Sequence, residues 1–60
     1  MSGYRCYFLD NSDRIAACQK LACEDDIQAQ ENAYRLLVGS SHAAVEIWQF
    51  DRKVYRADRG

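Results

Sequence analysis

Proline is absent from this 60-residue chain, and glycine occurs only at positions 3, 39 and 60. Glycines so far apart cannot build the glycine-rich loop that cradles a phosphate. Long apolar runs are missing too: none approaches the roughly 18 residues that a membrane span needs. Residues 1–5, Met-Ser-Gly-Tyr-Arg, carry no apolar stretch of the kind found in a secretory signal. The expectation is a soluble, cytoplasmic protein. An excess of one charge is also lacking, since eight Lys and Arg face nine Asp and Glu, for a net charge of -1. With 48% hydrophobic residues, that balance excludes an intrinsically disordered chain.

A chain of this length forms one domain, spanning residues 1–60. It buries only about 60% of the surface that its unfolded state exposes, so it is marginal alone. Domains this small add disulfides, a metal or a partner subunit. The three cysteines, Cys6, Cys18 and Cys23, are odd in number and irregularly spaced, which argues against a disulfide framework. Zinc wants paired ligands, and His42 is the only histidine. Cys18 and Cys23 are five apart, so on a strand they point to opposite faces. Each cysteine is expected to be a small buried hydrophobe. His42 is expected to be a solvated loop residue rather than the base of a Cys-His pair. No metal and no cofactor are expected.

What the sequence does contain is a strand and helix pattern. Residues 4–9, Tyr-Arg-Cys-Tyr-Phe-Leu, are β-prone and apolar on both faces, as in a central strand. The polar cluster Asp10-Asn11-Ser12-Asp13 is a turn signal. Residues 14–22 read as a second strand, whose small side chains would let a helix approach closely. Residues 25–38 read as the helix, with Asp25 as N-cap, Gln28 completing a capping box and Gly39 at the C-terminal end. At about 100° per residue, Ala29, Ala33, Tyr34, Leu36 and Leu37 share its apolar arc, with Ile27 at the edge. Residues 43–50 alternate, Val45 and Ile47 against Glu46, Trp48 and Phe50. Asp51-Arg52-Lys53 turns the chain and Val54-Tyr55-Arg56 returns it; residues 57–60 are expected to fray. The result is an α+β fold, ββαββ, with one helix on one face of a four-stranded antiparallel sheet. Strand order 2-1-3-4 keeps every neighbour antiparallel.

These residues also carry a resemblance. Tyr4, Tyr7, Phe8, Leu9 and Asp10 form an N-terminal aromatic strand. Asp25, Asp26, Ala33, Leu36 and Leu37 form an acid-capped helix, and Val45, Glu46, Ile47, Trp48, Val54, Tyr55 and Arg56 a closing hairpin. Together they resemble a set of short, uncharacterised bacterial proteins, mostly alphaproteobacterial, over nearly the whole chain. Those proteins often have glycine in the last turn, where this chain has Phe50-Asp51. The resemblance implies the fold and no catalytic residues.

One helix covers one sheet face, so the other face is the place to seek function. Val45 and Ile47 suit the helix side, which turns Trp48 and Phe50 outward, with Tyr7 and Tyr55 near them. An aromatic patch of this kind is large for a small monomer. The leading expectation is a non-enzymatic interaction domain that forms a homodimer through Tyr7, Trp48, Phe50 and Tyr55 or through edge strands. The alternative is a nucleic-acid-binding module that stacks bases on these aromatics beside a basic edge of Arg52, Lys53 and Arg56. Charge weighs against it: residues 31–60 hold five basic and four acidic groups, residues 1–30 three and five.

Overall fold

A computed structural model describes residues 2–59. The elements are β1 (Ser2–Leu9), β2 (Ile15–Cys23), α1 (Asp26–Val38), β3 (Ala44–Gln49) and β4 (Arg52–Asp58). The four strands form one antiparallel sheet in the order β2-β1-β3-β4, and the fold is ββαββ. The two-sided apolar strand β1 is central, between β2 and β3.

The polar cluster forms the first turn. The Asp10 carboxylate accepts from the amides of Ser12 at 2.8 Å and Arg14 at 3.0 Å. Asp13 takes a φ of 61°, which Asp tolerates better than most side chains. The helix starts as its cap residues dictate. The Asp25 side chain accepts from the Gln28 amide at 2.8 Å, and Gln28 Oε1 accepts from the amide of Glu24, also at 2.8 Å. The first-turn amide of Gln28, which the helix leaves without a partner, and the amide of Glu24 just before the cap are thereby satisfied. Gly39 closes the helix at φ -81°, a value open to any residue, so glycine is not needed there for its conformational freedom.

Strand alternation sends Tyr4, Cys6 and Phe8 from β1, and Val45 and Ile47 from β3, to the helix side. They meet Ala29, Ala33 and Leu37, which recur every four residues along one line of α1. The two alanines bring the helix backbone close to the sheet, and α1 lies nearest β3. Val45 and Ile47 are fully buried, each worth about 2 kcal/mol in apolar transfer. A polar stitch fixes the helix start. Tyr4 donates its hydroxyl to Asp26 Oδ1 at 2.7 Å, and Arg52 grips both Asp26 oxygens at 3.1 and 3.2 Å. Arg52 and then Tyr4 hold the Asp26 carboxyl below the usual carboxylate range.

Several expectations need correction. Tyr34 and Ile27 lie outside the buried arc, 59% and 68% exposed, because the side that faces the sheet is narrower, the Ala29–Ala33–Leu37 line with Leu36 beside it. The small residues of β2 do not receive the helix. Ile15 to Lys20 are exposed, and only Leu21 and Cys23 reach the core. Cys18 is exposed, unlike Cys6 and Cys23. His42 is half-buried, its ring tilted against Phe8 with centroids 5.1 Å apart. The second hairpin turns at Phe50-Asp51, and Arg52 and Lys53 already belong to β4.

The segment expected to fray is tied down as far as Arg59; Gly60 lies outside the described residues. Ala57 is buried, and the Arg59 amide donates to Ala43 O at 2.8 Å. The Arg59 guanidinium donates to the carbonyls of Leu37, Ser40 and His42, the last at 3.0 Å. A cation thus caps the negative end of the helix dipole and ties it to the end of β4. Arg59→Ala is expected to lower the stability of the whole domain by about 1–2 kcal/mol, read by thermal unfolding. An unchanged melting temperature would show that the clamp contributes nothing.

Candidate functional site: the uncovered sheet face

The residues between the core positions point the other way. Arg5, Tyr7 and Leu9 on β1 and Glu46 and Trp48 on β3 face away from the helix, on the same side as Cys18 and Lys20 of β2. Trp48 is therefore outside the helix-side core, as the aliphatic character of Val45 and Ile47 suggested. It is half-buried, and so is Tyr7. Tyr7, Ile15, Glu46, Trp48 and Phe50 line a shallow cleft of about 280 Å³ on this face. Three of the four residues expected to form an interface thus meet in one place.

Tyr55 is the fourth, and it is elsewhere. It pairs with Ile47 across the β3–β4 ladder, so it lies on the helix side. There it packs against the core and lines a separate groove of about 380 Å³ with Gln30, Glu31, Tyr34 and Arg35. A ladder irregularity between Ile47 and Trp48 shifts the register, which alternation counted from the turn does not reveal.

Phe50 combines two unfavourable properties. It is 91% exposed, and its φ is 56°. Gln49 pairs with Arg52, so Phe50 is the first residue of a two-residue hairpin loop. Positive φ at that position suits glycine. A bulky residue there costs on the order of 1 kcal/mol of backbone strain and leaves a whole ring in water.

The cations expected to form a basic edge are neutralised. Arg52 is engaged by Asp26 on the helix side. Lys53 Nζ is 3.6 Å from Glu46 Oε2, and Arg56 is 3.0 Å from the same oxygen. Arg56 also reaches Asp13 at 2.9 Å and Asp58 at 3.0 Å. Glu46 Oε1 accepts from the Trp48 indole N–H at 3.1 Å, which fixes the ring over the sheet. The indole first, then Lys53 and Arg56, hold the Glu46 carboxyl below its ordinary range.

Arg5 and Lys20 were not singled out by the residue pattern. They are directly opposite each other on this face, both exposed, and neither has a carboxylate partner among the described residues. Only the register brings them together, since they are far apart in sequence. As for covalent chemistry, burial pushes the Cys6 thiol up to about 11, too high for a thiolate nucleophile. Among the described residues, no three His, Cys, Asp or Glu side chains cluster as metal ligands. None of the described helices is long and apolar enough to cross a membrane.

Two outcomes follow for the site. Phe50→Gly is expected to raise the stability of the dilute chain by about 1 kcal/mol in chemical denaturation, through relief of strain. A loss of stability would mean that the ring packs within its own chain. Trp48 emission is expected to change as Glu46 gains its proton. The lowered pKa puts this transition, and the loss of Glu46's stabilising contribution, below the ordinary glutamate range as pH falls. Glu46→Gln should abolish the step; its persistence would assign it to another group.

No family model matches the chain, and neither a curated protein nor a solved structure matches it.

Proposed function

We propose that this protein is a non-enzymatic interaction domain that self-associates as a homodimer through the sheet face opposite the helix, which carries Tyr7, Trp48 and Phe50. The observation that carries this reading is Phe50, a fully displayed aromatic ring kept at a backbone angle that favours glycine. Strain and exposure together lower the stability of an isolated chain, and both are offset when the ring enters an interface. Tyr7 and Trp48 beside it supply the aromatic centre that protein interfaces favour. The small size of the domain points the same way, because a partner supplies the buried area that 60 residues lack.

A second copy is the simplest partner, since symmetric homodimers are the commonest soluble oligomers. The outer edge of β2 is the other surface open to pairing, because Ile15 to Lys20 are exposed. Nucleic-acid binding has less support. Arg52, Lys53 and Arg56 already face carboxylates, so a phosphate would have to displace them.

Sedimentation equilibrium at micromolar concentration is expected to give twice the 6.9 kDa chain mass. Trp48→Ala and Phe50→Gly should each weaken association at least about tenfold, as the loss of an aromatic anchor from an interface does. Ala17→Lys, which places a charge on the β2 edge, should leave it intact. A single 6.9 kDa species that unfolds cooperatively would overturn the reading. Loss of association in Ala17→Lys alone would move the interface to the edge.

A further inference from the structure

We propose that the second copy docks on this face in one orientation, with the two-fold axis crossing the strands near Tyr7. The inference rests on the self-association reading above and specifies the geometry of the partner. Its starting point is the distribution of charge along the strands. Lys20, Arg5, Trp48 and Lys53 form one row across the sheet, each opposite the next. Further along, beyond the row of Cys18, Tyr7, Glu46 and Arg56, comes a row of Ile15, Leu9, Ala44 and Asp58. Asp13 stands at this far end as well, joined to Asp58 through Arg56. At one end Arg5 and Lys20 stand without a carboxylate partner among the described residues, beside Trp48; Tyr7 and the Glu46–Arg56 pair hold the middle; Asp13 and Asp58 stand at the other end.

Within one chain this arrangement is unfavourable. Like charges directly opposite each other in a ladder repel, and Arg5 and Lys20 are such a pair. The acidic end cannot relieve them. Four residues of strand separate the rows by about 13 Å, more than the screening length of about 8 Å at physiological ionic strength.

A second copy resolves the conflict in one of two simple symmetric arrangements. An axis parallel to the strands lays each row on the same row of the other copy, so cations meet cations. An axis across the strands reverses the order of the rows. Lys53 of one copy then lies over Asp58 of the other, and Arg5 and Lys20 approach the turn that carries Asp10 and Asp13. Tyr7, half-buried, falls near the axis.

The area is adequate. The molecule extends 31 × 21 × 15 Å, and its longest dimension matches strands of eight and nine residues. A face of that outline is on the order of 600 Å² per copy, so a dimer buries on the order of 1,200 Å², the lower bound for a specific stable interface.

Complementary charge reversal tests the orientation. Arg5→Glu with Lys20→Glu makes that corner of the face acidic, and Asp13→Lys puts a cation on the turn that this corner meets in the other copy. Each variant alone is expected to lose self-association at least about tenfold, while an equimolar mixture recovers it as a heterodimer. Circular dichroism on each variant checks that the fold is retained. The unmodified chain supplies a second readout that needs no variant: its dimer should weaken as salt rises from about 0.05 to 0.5 M. A wild-type chain that stays monomeric removes the self-association reading itself. A wild-type dimer that is indifferent to salt, with Arg5→Glu/Lys20→Glu associating as tightly as before, keeps that reading and overturns the crossed orientation.

Discussion

An α-helix is about 10 Å across and neighbouring strands lie about 4.8 Å apart, so a single helix shelters roughly two strands of a sheet. The described residues form four strands and one helix. The helix is placed where it shelters most, nearest β3, with Tyr4, Cys6 and Phe8 of central β1 also beneath it. The edge strand β2 reaches shelter only at Leu21 and Cys23 and is exposed from Ile15 to Lys20. The other face is covered by no helix among the described residues. Its Leu9 and Ala44 are nonetheless buried, at the end where Arg56 joins Asp13, Glu46 and Asp58. Its aromatic region, around Tyr7, Trp48 and Phe50, stays open.

Polar groups serve this arrangement at its margins rather than in its interior. No charged or polar residue counts among the buried ones described. Instead, charged side chains close the seams. Asp26 links the helix start to Tyr4 and Arg52, and Arg59 links the helix end to β4. With the two ends of the helix fixed to opposite ends of the sheet, thirteen residues can hold their place on a small core. Because the clamps spend Arg52 and Arg59, and Glu46 engages Lys53 and Arg56, Arg5 and Lys20 remain on the uncovered face without a carboxylate partner among the described residues.

The order of elements, the central place of β1 and the outward turn of Trp48 were legible in the sequence, because each rests on a local rule. Two-sided apolarity marks a central strand, Asp25 and Gln28 mark a helix start, and Val45 and Ile47 suit an aliphatic core. The features that were not legible depend on distant residues. Arg59 looks like a terminal charge until the helix end is folded beside it. Tyr55 changes sides because the ladder slips by one residue near Trp48. The opposition of Arg5 and Lys20 exists only once β1 and β2 are in register. Of the aromatic site, Tyr7, Trp48 and Phe50 were visible as residue types, but the strain at Phe50 was not, since nothing local assigns a positive φ to phenylalanine.

The central claim is that the open aromatic face is sheltered by another molecule of the same chain. Trp48 is the only tryptophan, and it stands on that face. Its emission maximum, followed while the protein is diluted from micromolar to nanomolar concentration, reports the shelter directly. The account predicts a shift to longer wavelength on dilution, with greater quenching by acrylamide. An emission maximum and quenching constant that stay the same throughout the dilution would contradict it.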